Sequence, residues 1–328
     1  MHKYCIIFFI TLFLNSSALY GNWLQTPCIN QIDCTINNAI TTNNNGLVSI
    51  PNTNNTHNTI TINSNGAINN NILQTPTYAI ITIRGGNQIN ITDITNNGTI
   101  GKNINTVQNS LLGFSIRNYA ASSGSLESQI GTLINNGTIQ GKIVNYTTIN
   151  TLTNNGELKD SIYNLGSIQT LTHSNSNAPI KIDGLNPKVQ GFIGTISNLI
   201  LGNNTTIEFA NGITLLNPPT FEGNATIKGD VIINYTGDLQ NNSTYTLDVN
   251  YTNINHLTSF TNQRDFSHIF INRQNQGTLD SLTNQALFNI FRNEHILSSV
   301  INENSGTFTN LTNTGIVDTL TNSGNFEL

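Results

Sequence analysis

Charge is what this 328-residue chain lacks most: Lys, Arg, Asp and Glu together make up 9% of it. A typical soluble domain carries about 25%, so the side chains that serve acid–base catalysis, metal ligation and phosphate neutralisation are scarce throughout. Twelve basic residues form no Lys/Arg stripe, and 17 acidic ones bring the net charge to −5. Nucleic acid and anionic membrane surfaces are therefore not expected partners. No Gly-x-Ser-x-Gly elbow, HExxH zinc signature or glycine-rich Asp repeat for calcium occurs. Gly137-Thr-Ile-Gln-Gly141-Lys142 has one residue too few between its glycines for a phosphate loop, and no Ser or Thr follows the lysine. The expectation is no nucleotide, no cofactor, no metal and no catalytic residue. Outside the first turns of the chain no apolar run approaches the roughly 20 residues that span a bilayer, so no integral membrane span is expected in the mature protein.

Cysteine is nearly absent too, and the three present are informative by place. Cys5 lies within a leader of secretory layout: His2 and Lys3, an apolar run from Tyr4 to Leu14, then small residues ending at Ser16-Ser17-Ala18. Cleavage after Ala18 leaves Cys28 and Cys34 near the new amino terminus. In an oxidising compartment that pair is expected to close a small disulfide loop; two thiols without a nearby His or second pair do not complete a tetrahedral metal shell.

What fills the chain instead is Asn (59), Ile (45) and Thr (44). They recur in one phrase, apolar-x-Asn-x-Gly-x-apolar: ITNNGTI from Ile94, LINNGTI from Leu133, LTNNGEL from Leu152, IYNLGSI from Ile162, LTNTGIV from Leu311 and LTNSGNF from Leu320. Its glycines, Gly98, Gly137, Gly156, Gly166, Gly306, Gly315 and Gly324, fall at multiples of about 9 to 19 residues. Self-similarity at such periods indicates a solenoid whose single repeats cannot bury their own apolar faces. β-Branched residues favour extended backbone, and Asn and Gly tolerate left-handed turns. Segments such as Ile60-Thr61-Ile62 alternate with strand periodicity. The fold expected is an all-β parallel β-helix with coils of about 19 residues, Ile and Leu stacked inside, Asn and Thr at turns or facing solvent.

The organisation expected is a leader over residues 1–18, an amino-terminal cap with its disulfide loop over 19–45, and β-helix over 46–255. Residues 256–300 are richer in charge and aromatics; the stretch LTNQALFNIFRNEHILSSV there suits an amphipathic helix or an irregular rung, so an excursion is expected. Terminal rungs follow over 301–328. The densest polar cluster, His256, Arg264, Asp265 and His268, has two readings: a groove of a polysaccharide-acting enzyme, or, more simply, the solvated face of the excursion. Glu222-Gly-Asn224-Ala-Thr226 and Asp248-Val-Asn250-Tyr-Thr252 match the acidic-extended acceptor pattern of bacterial N-glycosylation, although a chain so rich in Asn and Thr produces such matches by chance.

Leader plus NNGTI-type phrases resemble the passenger regions of bacterial type V autotransporters, particularly the vacuolating-toxin-like group. That resemblance implies a right-handed β-helix that crosses the outer membrane through a carboxy-terminal β-barrel and acts at the cell surface or after release as an adhesin or toxin. It implies contact with a host surface, matrix or glycan. Nothing after Val300 has the alternating strands and aromatic girdles of such a barrel, so the translocator barrel is expected to be a separate partner and the chain a truncated or split passenger. Without a translocator the protein is expected in the periplasm. A non-enzymatic adhesin is the leading expectation, a toxin-like passenger that oligomerises or engages membranes the alternative, and a secreted polysaccharide-acting enzyme the second alternative.

Overall fold

A computed structural model describes residues 33–42, 47–49, 59–70, 81–85, 90–102, 114–120, 129–183 and 194–327. The leader, Cys5 and Cys28 lie outside the described residues. Among those described every regular element is a β-strand. They form one sheet of 21 strands and two of five, paired in parallel with coils about 20 residues apart. The chain is a parallel β-solenoid.

One rung explains the others. Gln129–Asn135 buries its second, fifth and seventh side chains: Ile130, Leu133 and Asn135. Residues two and five of a flat strand point to opposite faces, so burying both requires the strand to bend between them. The register agrees, passing from Ile130↔Ile149 to Thr132↔Thr151 and leaving Gly131 unmatched. Each coil then repeats the pattern directly over the last. Ile130, Ile149, Ile168 and Ile196 make one column and Leu133, Leu152, Leu171 and Leu199 another. All eight are buried. A buried Ile or Leu contributes about 1.5–3 kcal/mol, and a column gains it at every step.

Residues 256–300 continue this stack without an excursion. His256–Asn262, Thr278–Asn284 and Ile296–Asn302 are seven-residue strands in one five-strand sheet, and Phe266–Asn272 and Leu287–Asn293 are their counterparts in the large sheet. The expectation of a helix or irregular rung is corrected to regular strand for a physical reason. Burial at positions two and five gives an i, i+3 spacing, the spacing of a helix face, although here a bent strand produces it. The aromatics that marked this segment as different are its core. Phe288 packs against Phe266, Phe308, Phe260 and Phe291 with ring centroids 4.8, 5.4, 5.5 and 5.8 Å away, and Phe270 stacks on Phe291. A single hydrophobic cluster runs from Cys34 to Phe308.

Two further expectations are corrected. The residue that closes a rung, most often Asn, faces inward rather than toward solvent: Asn96, Asn135, Asn145, Asn154, Asn164, Asn241, Asn253, Asn262, Asn272, Asn284, Asn293 and Asn302 are all buried. The turn glycines are not left-handed; positive φ among the described glycines occurs at Gly101, Gly229 and Gly237. Gly98, Gly137, Gly156, Gly166, Gly306, Gly315 and Gly324 instead sit where the coil beneath leaves no space. A Cβ on Gly137 would collide with the Gly98 carbonyl oxygen, one on Gly156 with that of Gly137, and one on Gly324 with that of Gly306. Those same carbonyls accept the next coil's amides, as in Thr138 N to Gly98 O at 2.8 Å. Close stacking at the corner is what requires glycine.

At the amino-terminal end, Cys34 is buried and disulfide-bonded; its partner lies outside the described residues.

Candidate functional site

The interior holds a polar device that the solenoid builds by repetition. Most inward asparagines donate one Nδ2 hydrogen to the Oδ1 of their counterpart one coil on, while Asn164 donates to Thr195 O. Asn96 to Asn135 and Asn135 to Asn154 are both 2.8 Å. A second ladder runs Asn241, Asn262, Asn284, Asn302 and Asn322, and a third Asn253, Asn272, Asn293 and Asn313, with steps of 2.8–3.0 Å. The other Nδ2 hydrogen reaches a backbone carbonyl beyond the corner, as from Asn272 to Ile296 O at 2.8 Å. The oxygen also takes an amide of its own corner, as from Gly98 N to Asn96 Oδ1. A buried amide is tolerated when its capacity is filled, and steps of 18 to 22 residues are absorbed while the ladder stays in line.

One member is different. His173 occupies the seventh position above Asn154, fully buried, and its Nδ1 lies 3.3 Å from Asn154 Nδ2. The amide is a donor in the ladder's direction, which makes Nδ1 the acceptor and puts the proton on Nε2, an atom buried without a partner. Burial holds the imidazole pKa below its ordinary value. Two phenols are also buried with unpartnered hydroxyls, Tyr235 and Tyr251, and burial raises both pKa values. At Tyr163, partial burial, then Asp183 and Tyr146, push the phenol up to about 12.

The four residues of the sequence-predicted polar cluster do not converge: Arg264 and His268 engage strand Tyr245–Asn253, while His256 and Asp265 engage residues further along the chain. His256 Nε2 meets Asp280 at 2.8 Å on the five-strand sheet. Arg264 donates to Thr246 Oγ1 at 3.1 Å, and Asp265 accepts from Leu287 N at 3.3 Å. His268, on the large sheet, pairs with Asp248. Asp248 also faces Lys228 at 3.7 Å, and Lys228 lies in register with Glu208, which in turn pairs with Lys181 at 3.4 Å. Lys181, Glu208, Lys228 and Asp248 thus form a column of alternating charge up the outer face, with His268 at its end. Sequence reading missed it because the coil lengths differ and successive members are of different types. Half-exposed pairs of this kind contribute little to stability. Among the described residues no group of three or more His, Cys, Asp or Glu has metal-holding geometry.

The remaining outer surface is repetitive and largely uncharged. Thr132, Thr151 and Thr170 stack on one face with Thr153 and Thr172 beside them. Ser259, Ser281, Ser299 and Thr319 stack on another. An outer row of amides runs along one corner, where Asn155 donates to Asn136 at 2.9 Å and Asn136 to Asn97 at 2.8 Å. Near its lower end Asn37, Asn38, Asn63, Ser64, Asn65 and Asn97 line an open cleft of about 560 Å3. Comparison of the chain with known protein families, curated proteins and solved structures gave no match in any of the three. The scaffold is one that secreted adhesins and enzymes share.

Proposed function

We propose that this chain is an exported, passenger-like β-solenoid that acts as a non-enzymatic adhesin or host-contact protein. The observation that carries the reading is the outer surface: hydroxyl and amide side chains stack in register over runs of successive coils, about 4.8 Å apart, as in Thr132, Thr151, Thr170 and Asn198 and in Ser259, Ser281, Ser299 and Thr319. A stiff array of this kind turns weak contacts into firm attachment because successive contacts form at high effective concentration. The few charged groups lean toward neighbouring coils and do not converge on a groove, and the leader of the sequence directs the chain to the cell surface or beyond, or to the periplasm if no translocator is present.

Purified protein, immobilised on beads, is expected to retain cells or matrix proteins, with retention rising steeply as bead density increases. Indifference across host cells, matrix proteins and surface glycans would overturn the adhesin reading. Turnover of a glycan would replace it with the enzymatic one.

A further inference from the structure

The chain is dense in Asn-x-Ser/Thr triplets, and the fold sorts them. Most of their asparagines are already engaged. Asn145 is a buried ladder member. Asn97 and Asn136 belong to the outer amide row. Asn242 accepts the backbone amides of Thr244 and Tyr245 at 2.9 Å each, and Asn310 accepts from Thr312 Oγ1 at 3.0 Å.

Only two triplets carry a carboxylate two residues earlier, and the structure treats them oppositely. Asn250 lies mid-strand in Tyr245–Asn253, between parallel neighbours on both sides. Its Nδ2 donates to Asp230 at 2.8 Å and its Oδ1 accepts from Ile269 N at 3.1 Å. Its carboxylate, Asp248, is held by His268 and Lys228. Asn224 lies on the bend Glu222-Gly223-Asn224, at the corner between strands Thr220–Phe221 and Ala225–Ile233. Both Glu222 and Asn224 are exposed. The backbone of the bend is anchored by Glu222 N to Leu201 O at 2.8 Å and by Asn224 N to Asn203 Oδ1 at 2.9 Å. The side chains of Glu222, Asn224 and Thr226 have no hydrogen-bond or ion-pair partner among the described residues.

From this contrast we infer that Asn224 is an N-glycan acceptor, with Glu222 and Thr226 as its recognition side chains, and that Asn250 is not. The donor is a polyprenyl-diphosphate-linked oligosaccharide. Asn224 Nδ2 attacks C1 of its first sugar, a C–N bond forms, the C1–O bond to diphosphate breaks, and polyprenyl diphosphate leaves with the electron pair. The amide proton passes to solvent, and no oxidant or reductant is needed. An acceptor asparagine must offer a free amide on an accessible turn, which this corner does and the strand interior does not.

The inference rests on the chain being exported, since the transfer occurs outside the cytoplasm, but its test does not. Folded purified protein is incubated with a bacterial oligosaccharyltransferase that requires the acidic position and with polyprenyl-diphosphate-linked oligosaccharide, then read by intact mass and peptide mapping. The expected product carries one glycan, on Asn224. Asn224→Gln and Glu222→Ala abolish it, Asn250→Gln leaves it unchanged, and heat-unfolded chain gains a second glycan at Asn250. No transfer to folded protein, or transfer to Asn250 in it, overturns the assignment. Failure of export in cells would leave this result untouched, and success in vitro would not rescue the export reading.

Discussion

An inward asparagine holds groups in three coils at once, so its loss is felt beyond its own rung. Asn284 takes a hydrogen bond from Asn262 and gives two, to Asn302 Oδ1 at 3.0 Å and Thr307 O at 3.3 Å. Asn284→Ala leaves a donor and two acceptors buried without partners. At roughly 1–3 kcal/mol for each such group, a loss of about 3–9 kcal/mol is expected. The check is the shift in denaturation midpoint at unchanged slope, and a shift worth less than about 1 kcal/mol would show that the ladder is incidental. His173 makes a second residue-scale prediction, one of pH. The strands flanking it, Thr148–Asn154 and Thr195–Leu201, carry no titratable side chain. Its pKa is lowered by burial, so the unfolded chain binds the proton first as pH falls. The contribution is therefore present above the unfolded value of about 6.5 and is lost as pH falls through the lower folded value. A protonated Nδ1 would also face the Asn154 amide donor to donor. His173→Asn offers Asn154 an amide oxygen at the end of the ladder, beneath Leu201, and removes the titrating group; it is expected to flatten this part of the acid limb, read by thermal unfolding between neutral and mildly acid pH. An unchanged acid limb would remove the histidine from the account. The phrase apolar-x-Asn-x-Gly located both Asn and Gly in the sequence but gave neither its role. Polarity sends an asparagine outward by default, and only a partner one coil away, invisible in the local sequence, makes its burial favourable.

At the scale of the element, the rung is a bent strand with inward positions two, five and seven. Ile and Leu fill it in the coils from Gln129 to Leu201, and Phe fills it in the large-sheet rungs Phe266–Asn272 and Leu287–Asn293. Phe288 sits among four other rings, so Phe288→Ala opens a cavity shared by neighbouring coils. Truncations of buried Phe typically cost about 3–5 kcal/mol, and the effect here is expected to be local: faster amide exchange in Phe266–Asn272, Leu287–Asn293 and Thr307–Asn313, with Gln129–Asn135 unaffected. Uniform acceleration along the whole chain would contradict a stack in which each coil contacts its neighbours only. The same strands show what sequence periodicity left hidden. Strand type was legible where Asn-x-Gly corners bounded short alternating runs, as at Leu133 to Ile139. In Leu287–Asn293 the Phe288–Phe291 spacing imitates a helix face, and the Asn293 that closes the rung was lost among other polar residues. The charge column from Lys181 to His268 was likewise out of reach, because its members are neighbours only after the coils are stacked.

For the molecule as a whole, what specifies the fold is registration between coils, and that can be tested by removing one. From Gln129 the register advances by 19 residues to Thr148 and by 19 again to Ser167. Deleting residues 148–166 removes one complete coil and places Ser167 where Thr148 stood. Ile168 then lies over Ile130, Leu171 over Leu133, and His173 over Asn135, while Ile182 takes the place of Ile162 above Ile143. Every column is conserved, and Gly166 leaves together with the coil it caps. The shortened chain is expected to keep a β-dominated far-UV spectrum and cooperative unfolding, its stability lowered by roughly the contribution of one repeat and its interface. Deleting residues 148–157, about half a coil, removes fewer side chains. Ile162 and Asn164 then fall over Leu133 and Asn135, but Lys159 takes the inward place of Ile149, and in the following rung Lys181 and Asp183 take the inward places of Leu171 and His173. Burying charges without partners is costly, so this smaller deletion is expected to abolish the cooperative transition. If the two deletions behaved alike, the stack would be held by composition alone. The predicted asymmetry, with 19 residues tolerated and ten not, is the mark of a protein whose unit of stability is the coil and whose binding surface grows by the same unit.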